Sequence, residues 1–315
     1  MVTSSSSSAS TDPQNLIPPA APAAPAASVQ PADRHADIVR RITAWAEADD
    51  NIRALVVTGS SSREMGAADR FSDRDIEIIA RDCAPLLADD AWLHAIAPVW
   101  VSQYLENDGF FDTRLVFFEG ARKVDFTVAD RSRLDSMIGS GQLDGLYERG
   151  YRVLMDKDGL ASRLPSPTGA SPLHALPSAA GFADVVSEFW FEAAHMPTYL
   201  AREEFWVVKF RDWTMKEMLL RMLEWHALTI QGAETDVWYI GTKMKRWVDA
   251  PTWVELQHVF GRFDRDDSWR ALVAMIELFI RLTHDVAAAC SFEVPESERH
   301  IRAYVLGSAE NPELP

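Results

Sequence analysis

In the first half of the chain, apolar residues occur mostly in short continuous or alternating runs, a pattern typical of β-strands. The spacing of Ile38, Ile42 and Trp45 first predicts an amphipathic helix from residue 36 to about residue 49. Six strands are then predicted, at residues 54–58, 76–79, 100–104, 114–118, 123–128 and 151–155. The fourth and fifth runs flank Glu119-Gly120, which predicts a hairpin. This half is therefore expected to be a mixed α/β domain.

Helical periodicity replaces the strand pattern beyond about residue 181. One helix is predicted over 182–195, and a second is expected to begin at Pro197, since proline suits a first helical turn, and to end near residue 228. A third long helix is predicted over 268–289. The expected fold class is thus a mixed α/β domain followed by an all-α helical bundle, with a cleft between them as the default ligand site.

Composition divides the chain further. Residues 1–33 contain six of the 17 prolines and no aromatic residue, so this Ser/Pro/Ala-rich tail is expected to be disordered. A second stretch rich in Ser, Pro and Gly, at 161–180, is expected to be a linker. The predicted domains are therefore the tail at 1–33, the α/β domain at 34–160, the linker at 161–180 and the helical domain at 181–315.

The balance of charge and the cysteine count narrow the classes of function. The chain carries 47 acidic and 31 basic side chains, a formal charge of −16, which disfavours nucleic acid and favours a cationic partner. Only two cysteines, Cys83 and Cys290, occur, which argues against a disulfide framework or a thiolate zinc site and fits a cytoplasmic protein. Its longest apolar stretches are too short for a bilayer-spanning helix, so no membrane association is expected.

The candidate chemistry lies on the predicted strands. The first strand ends at Gly59-Ser60. Asp73 and Asp75 are expected on one face of the second strand, two residues apart, and Asp125 on the polar face of a later one. Carboxylates at this spacing could hold Mg²⁺, while Gly59 and Ser60 could offer backbone and hydroxyl groups to phosphate. Taken singly, each of these residues is more often a solvated strand face or a turn. Their order along the chain favours phosphoryl-transfer chemistry with two metal ions.

That order resembles the nucleotidyltransferase superfamily related to DNA polymerase β. Residues 56–159 resemble more closely the aminoglycoside 6-adenylyltransferase, or streptomycin adenylyltransferase, family. The stretches that carry the resemblance are Thr58-Gly59-Ser60, Phe71-Ser72-Asp73-Arg74-Asp75-Ile76-Glu77, Lys123-Val124-Asp125-Phe126 and the run at 150–158. In the helical half they are Tyr199-Leu200-Ala201-Arg202-Glu203-Glu204 and Leu220-Arg221-Met222-Leu223-Glu224-Trp225.

The resemblance implies an enzyme that transfers AMP from Mg·ATP to a hydroxyl of an aminoglycoside, the 6-hydroxyl of streptomycin above all, with release of pyrophosphate and inactivation of the antibiotic. Asp73 and Asp75 would bridge two magnesium ions, and Asp125 would complete the ion that activates the nucleophile or act as its base. Two alternatives stay open: nucleotidyl transfer to another small molecule or a protein, and a noncatalytic nucleotide-binding protein.

Five further residues receive candidate roles from the same resemblance. Gly59 and Ser60 would contact ATP. Ser61 stands where the family commonly has Arg directly after Gly-Ser, so either Arg63 reaches the triphosphate instead or that contact is missing. In the helical half, Glu204 would serve as a base or hold the drug's amines, and Lys209 would neutralise the triphosphate. The alternative for these last two is a solvated helix face with an intrahelical ion pair. Most tryptophans of this half are expected to be core, with one or two stacking on a sugar ring.

Overall fold

The computed structural model of the protein describes residues 31–59, 72–106, 111–170, 173–237 and 239–310. These residues separate into two compact units. The first extends up to Gln142 and includes Gly150–Pro165, and the second comprises Leu143–Arg149 and the chain from Ser166 onward.

The first unit is built on a mixed sheet. Its described strands are β1 (Ile52–Thr58), β2 (Arg74–Ala80), β3 (Val99–Leu105), β4 (Asp112–Phe118), β5 (Arg122–Asp130) and β6 (Arg152–Asp156). They lie in the order β3-β4-β5-β2-β1-β6, and β2 and β5 are parallel while the other neighbouring strands are antiparallel. The predicted α/β class is confirmed, and all six predicted runs form strands.

Helices cover this sheet. In chain order the helices of the first unit are α1 (Pro31–Ala48), α2 (Ala84–Ala88), α3 (Ala91–Ile96) and α4 (Ser132–Ser140). Ile38 and Ile42 of α1 share a buried cluster with Leu55 of β1 and Ile76 of β2, as their helical spacing predicts. The sequence predicts only α1 among these helices, since α2, α3 and α4 are too short to show a clear period.

The second unit is helical, as predicted. Its helices are α5 (Gly145–Glu148), α6 (Ala179–Ala201), α7 (Phe205–Gln231), α8 (Ala250–Leu256), α9 (Arg265–Cys290) and α10 (Ser297–Glu310). α6, α7, α9 and α10 pack around one buried cluster. In its middle the rings of Phe189 and Phe279 stack with centroids 3.6 Å apart. No helix in the described ranges is both long enough and apolar enough to cross a membrane.

The predicted helix start at Pro197 is wrong. Pro197 lies buried inside α6, which continues to Ala201, and the next helix begins only at Phe205. The break falls at Glu203, whose φ of 56° is left-handed and therefore ends the helix. A proline is compatible with the first turn of a helix, and it is also compatible with an interior turn if other interactions hold the helix. In α6 the missing backbone hydrogen bond is tolerated because apolar packing stabilises the helix.

Candidate active site

The site is built around a close approach between a turn and a strand. β1 ends at Thr58, and Gly59 then turns the chain with a φ of 67°. A Cβ atom at Gly59 would lie 1.9 Å from Oδ2 of Asp75. Glycine is therefore required here twice, because of its left-handed backbone and because the Asp75 carboxylate occupies the space of a side chain.

Strand register brings the predicted aspartates together. Asp75 pairs with Thr58 across the antiparallel β1–β2 ladder and with Asp125 across the parallel β2–β5 ladder. Asp73 immediately precedes the first residue of β2, Arg74, so it is placed just before the strand. Parallel neighbours in register point their side chains to the same face of the sheet. The three carboxylates consequently meet at one end of β2 and β5, beside Gly59.

Lys123 lies among these carboxylates. Its ammonium group donates to Oδ2 of Asp73 at 2.6 Å and to Oδ2 of Asp125 at 2.8 Å. Lys123 and Asp125 are two residues apart on β5, so both side chains lie on one face. No role for Lys123 is predicted from the sequence, although its i, i+2 spacing to Asp125 is a signal that could have found it. The ammonium marks a position between Asp73 and Asp125 that attracts a cation.

The electrostatics of the aspartates follow from crowding and burial. Burial raises the pKa of Asp75 to about 6, and the negative charges of Asp73 and Asp125 add to that shift while Lys123 and Arg74 oppose it. Burial also raises the pKa of Asp125, against the lowering effect of its hydrogen bond from Lys123. For Lys123, burial would lower the pKa, but the hydrogen bonds to Asp125 and Asp73 outweigh it and the net shift is upward. The site thus holds more negative charge than its own lysine balances.

A fourth acid on the same strand face is neutralised. Glu77 lies two residues beyond Asp75 on β2, is almost wholly buried and accepts a hydrogen bond from Arg133 Nε at 2.8 Å. Arg133 in turn stacks over the ring of Phe111, 5.0 Å from its centroid. The sequence showed Glu77 as part of the motif but could not show its partner, which comes from α4. Glu77 therefore has a structural role as the buried partner of Arg133, whereas Asp73, Asp75 and Asp125 are partly exposed.

The three aspartates fit a hard divalent cation by their chemistry. Oδ1 of Asp125 is buried and has no hydrogen-bond partner among the described residues, so it is an acceptor in need of a cation or donor. Oxygen ligands of this kind suit Mg²⁺. Within the described ranges no group of three or more His, Cys, Asp or Glu side chains is already arranged around a metal position. Lys123 would have to move aside for an ion to contact both Asp73 and Asp125.

Comparison with known proteins decides the family. Residues 33–307 match the family described as streptomycin adenylyltransferase. The chain belongs to the streptomycin adenylyltransferase family. It is thereby a nucleotidyltransferase, and the family and enzyme class predicted from the motifs are confirmed.

Individual members of the streptomycin adenylyltransferase family are similar over most of their length. An aminoglycoside 6-adenylyltransferase of Bacillus subtilis (strain 168) is 24% identical over 267 residues, which cover 82% of this chain and 92% of that protein. One of Campylobacter jejuni is 24% identical over 270 residues, covering 83% and 91%. The match to the crystal structure of an aminoglycoside 6-adenyltransferase from Bacillus subtilis covers 87% of this chain and 96% of that chain. The two are 21% identical in sequence, and the TM-score is 0.42.

The remaining predicted site residues of this streptomycin adenylyltransferase family member differ in what the structure describes of them. Ser60, Ser61 and Arg63 lie outside the described residues. Glu204 is exposed at the N-terminal end of α7, and its carboxylate makes no capping hydrogen bond. Lys209 donates to the backbone oxygen of Gly261 at 3.0 Å and to Ser268 Oγ at 2.9 Å. Two of the three N–H donors of Lys209 are therefore used within the helical unit.

Proposed function

We propose that the protein transfers an adenylyl group from ATP to a hydroxyl of an aminoglycoside, and that the acceptor is the 6-hydroxyl of streptomycin. The observation that carries this proposal is the meeting of Asp73, Asp75 and Asp125 beside the Gly59 turn. Curated relatives named aminoglycoside 6-adenylyltransferase support the acceptor class and the position. The formal charge of −16 is compatible with a polycationic acceptor.

Asp73, Asp75 and Asp125 would hold Mg²⁺, in exchange for the ammonium of Lys123. When bound, the metal would supply charge neutralisation for the triphosphate and for the pyrophosphate that leaves. Gly59 and Ser60 would offer close backbone approach and donors to phosphate oxygens, and Arg63 would add a guanidinium to the same phosphates.

Asp125 would act as the general base. The acceptor hydroxyl oxygen forms a bond to the α-phosphorus, the bond from that phosphorus to the bridging oxygen of the β-phosphate breaks, and pyrophosphate leaves with the electron pair. The hydroxyl proton goes to the Asp125 carboxylate. Oδ1 of Asp125 has no hydrogen-bond partner among the described residues, so it is an oxygen that could take this proton.

Glu204 would pair with the charged nitrogen groups of the acceptor. An exposed carboxylate without a capping bond is free for an ionic contact of this type, and guanidinium groups pair well with carboxylates. Lys209 would have to leave the Gly261 oxygen and Ser268 to reach a triphosphate. Its predicted role is therefore less well supported than that of Glu204.

Mass spectrometry of the acceptor tests the proposal. The purified full chain would be incubated with ATP, Mg²⁺ and separate aminoglycosides, and each antibiotic would be examined for an added AMP group. The proposal predicts an adduct on streptomycin, located on the 6-hydroxyl of its streptidine ring by fragmentation. An adduct on a different aminoglycoside would overturn the streptomycin assignment, and ATP binding without any adduct would overturn aminoglycoside adenylylation.

A further inference from the structure

The helical unit contains a cavity of its own. It has a volume of about 870 Å³ and lies between α7 and the chain from Ile240 to Phe260, which includes α8. Its wall is aromatic and apolar, with Trp213, Trp225, Trp253 and Phe260 among the lining residues. Cavities that bind small organic molecules typically have a volume of about 300–1,000 Å³ and walls of this character.

One carboxylate lines this cavity without a partner. Glu224, in the middle of α7, is half-buried and makes no hydrogen bond or ion pair within the part of the chain that the structure describes. Burial raises its pKa, and the charge of the exposed Arg221, which also lines the cavity three residues earlier on α7, lowers it only partly. A half-buried acid among tryptophans is costly unless something compensates for its charge.

The other acid and the lysine that line the cavity already have partners. Lys216 forms an ion pair with Asp212, and Glu217 accepts a hydrogen bond from Trp213 Nε1 at 3.0 Å. A ligand cation would therefore find Glu224 as its available counter-charge.

The aromatic rings of this wall already accept cations from the protein itself. The ammonium of Lys216 lies 4.9 Å from the centroid of the Phe260 ring, and that of Lys245 lies 5.9 Å from the centroid of the Trp253 ring. Both distances are in the range where the face of an aromatic ring attracts a positive charge. The wall thus combines an apolar aromatic surface, two rings of which already contact cations of the protein, with the carboxylate of Glu224.

We propose that this cavity is a binding site for an amphipathic organic cation, whose apolar ring packs against the tryptophans and whose charged nitrogen pairs with Glu224. The aromatic wall favours an apolar ring over a wholly polar molecule, and the unpartnered carboxylate favours a cation over an anion. The site does not depend on the proposed transfer reaction, because it uses none of the three aspartates.

Calorimetric titration of the full chain with a matched pair of probes tests this proposal. Naphthalene-2-carboxamidine carries the cation, and naphthalene-2-carboxamide has nearly the same shape without charge. We expect the amidine to bind with one-to-one stoichiometry and at least tenfold more tightly than the amide. No binding of the amidine, or equal affinity for the two probes, would overturn the proposal, and this comparison requires no variant.

Three variants locate the binding. Glu224→Gln is expected to bring the affinity for the amidine down to that for the amide, whereas Glu188→Gln, an exposed acid on α6, should leave both unchanged. Asp125→Asn should also bind the amidine normally. Full amidine affinity in Glu224→Gln, or its loss in Asp125→Asn, would show that the cation binds elsewhere.

A fourth variant keeps the carboxylate and alters the wall. Trp253→Leu should weaken both probes several-fold while preserving the preference for the amidine, because the ring is lost and the charge of Glu224 is kept. Unchanged binding of both probes in folded Trp253→Leu would contradict the assignment to this cavity. Thermal unfolding would establish that each variant is folded.

Discussion

Gly59 and Asp75 form one structural unit in which each residue depends on the other. The glycine gives up its side-chain space to the carboxylate, and the carboxylate is thereby held against the end of β1, next to Asp125. In the sequence Gly59 looks like an ordinary turn glycine. In the structure, the absence of a side chain at Gly59 is what allows the Asp75 carboxylate to occupy its place in the site.

We expect Gly59→Ala to destabilise the fold by at least about 2 kcal/mol, because its Cβ would overlap the Asp75 carboxylate and its backbone would be strained. Removing the carboxylate should relieve the overlap but not the backbone strain. In an Asp75→Ala background the cost of Gly59→Ala should therefore fall to about 1 kcal/mol. Denaturant unfolding of the four proteins checks this, and equal costs in both backgrounds would show that the contact carries no weight.

Asp75→Asn should change the pH dependence of stability in metal-free protein. The pKa of Asp75 is about 6 in the fold against an ordinary 3.8, so the folded protein binds more protons than the unfolded chain between these values. The free energy of unfolding of the wild type therefore falls as pH rises through this interval. Asparagine does not ionise, so we expect the stability of the variant relative to wild type to rise by about 2 kcal/mol between pH 4 and pH 7.5.

The measurement is urea unfolding at several pH values with a chelator present. Asp112→Asn, an acid on β4 away from the aspartate group, serves as the comparison. A difference between Asp75→Asn and wild type that stays constant with pH would contradict the origin of the shift in burial and in the charges of Asp73 and Asp125.

At the residue scale the sequence predicts which acids matter but not how they are balanced. Asp73, Asp75 and Asp125 follow from spacing and motif, since strand periodicity fixes the face of each side chain. The bridging position of Lys123 and the pairing of Glu77 with Arg133 depend on distances between β2, β5 and α4, which no local pattern contains. The roles of Ser60 and Arg63 remain predictions.

Among the elements, the strands are well predicted because alternation and β-branched residues mark them directly. The parallel pairing of β2 with β5 is different, since it joins segments that are about 50 residues apart and no turn specifies it. The boundary between α6 and α7 was misplaced because Pro197 suits a helix start as well as an interior turn. Packing in the buried cluster, rather than local preference, keeps α6 continuous through the proline.

The face of β5 that carries Lys123 and Asp125 leads to a prediction about cations. We expect Lys123→Met to unfold at a lower temperature than wild type without divalent ions, because Asp73 and Asp125 lose their shared counter-charge. Magnesium should then raise the melting temperature of the variant by more than that of wild type, since the ion no longer competes with an ammonium group.

Thermal melts across a magnesium series provide the measurement, with Lys157→Met as the control. Lys157 donates to backbone oxygens of Ala46 and Asp49 rather than to the aspartates. If magnesium stabilises Lys123→Met no more than it stabilises wild type, the aspartates are not the ion's binding site.

For the whole molecule, the sequence predicts a sheet unit followed by a helical unit, and the fold has both. The family match from residue 33 to residue 307 spans them together. The cavity beside Glu224 could not be predicted from the sequence. It is formed by α7, α8 and the chain between them. Not all of the tryptophans expected in the core lie there: Trp190 and Trp247 are buried, whereas Trp206 and Trp213 are exposed.

The composition of the first residues gives a prediction about the full chain. A truncated protein that begins at Pro31, the first residue of α1, should retain the stability and the transferase activity of the full chain, because the preceding residues are rich in Ser, Pro and Ala and precede the family match. Side-by-side thermal melts and pyrophosphate-release assays check this. Loss of either property would mean that the preceding residues contribute to the folded enzyme.

The proposed adenylyl transfer to an aminoglycoside depends above all on Asp73, Asp75 and Asp125. The most direct measurement is the rate of adenylyl-streptomycin formation from Mg·ATP by wild type, Asp75→Asn and Asp125→Asn, each shown to be folded by its thermal melt. The account predicts rapid formation by the wild type and a loss of at least about a thousandfold in both variants, since each removes a charge that the metal or the base requires. Formation of the adduct at near wild-type rate by either folded variant would contradict it.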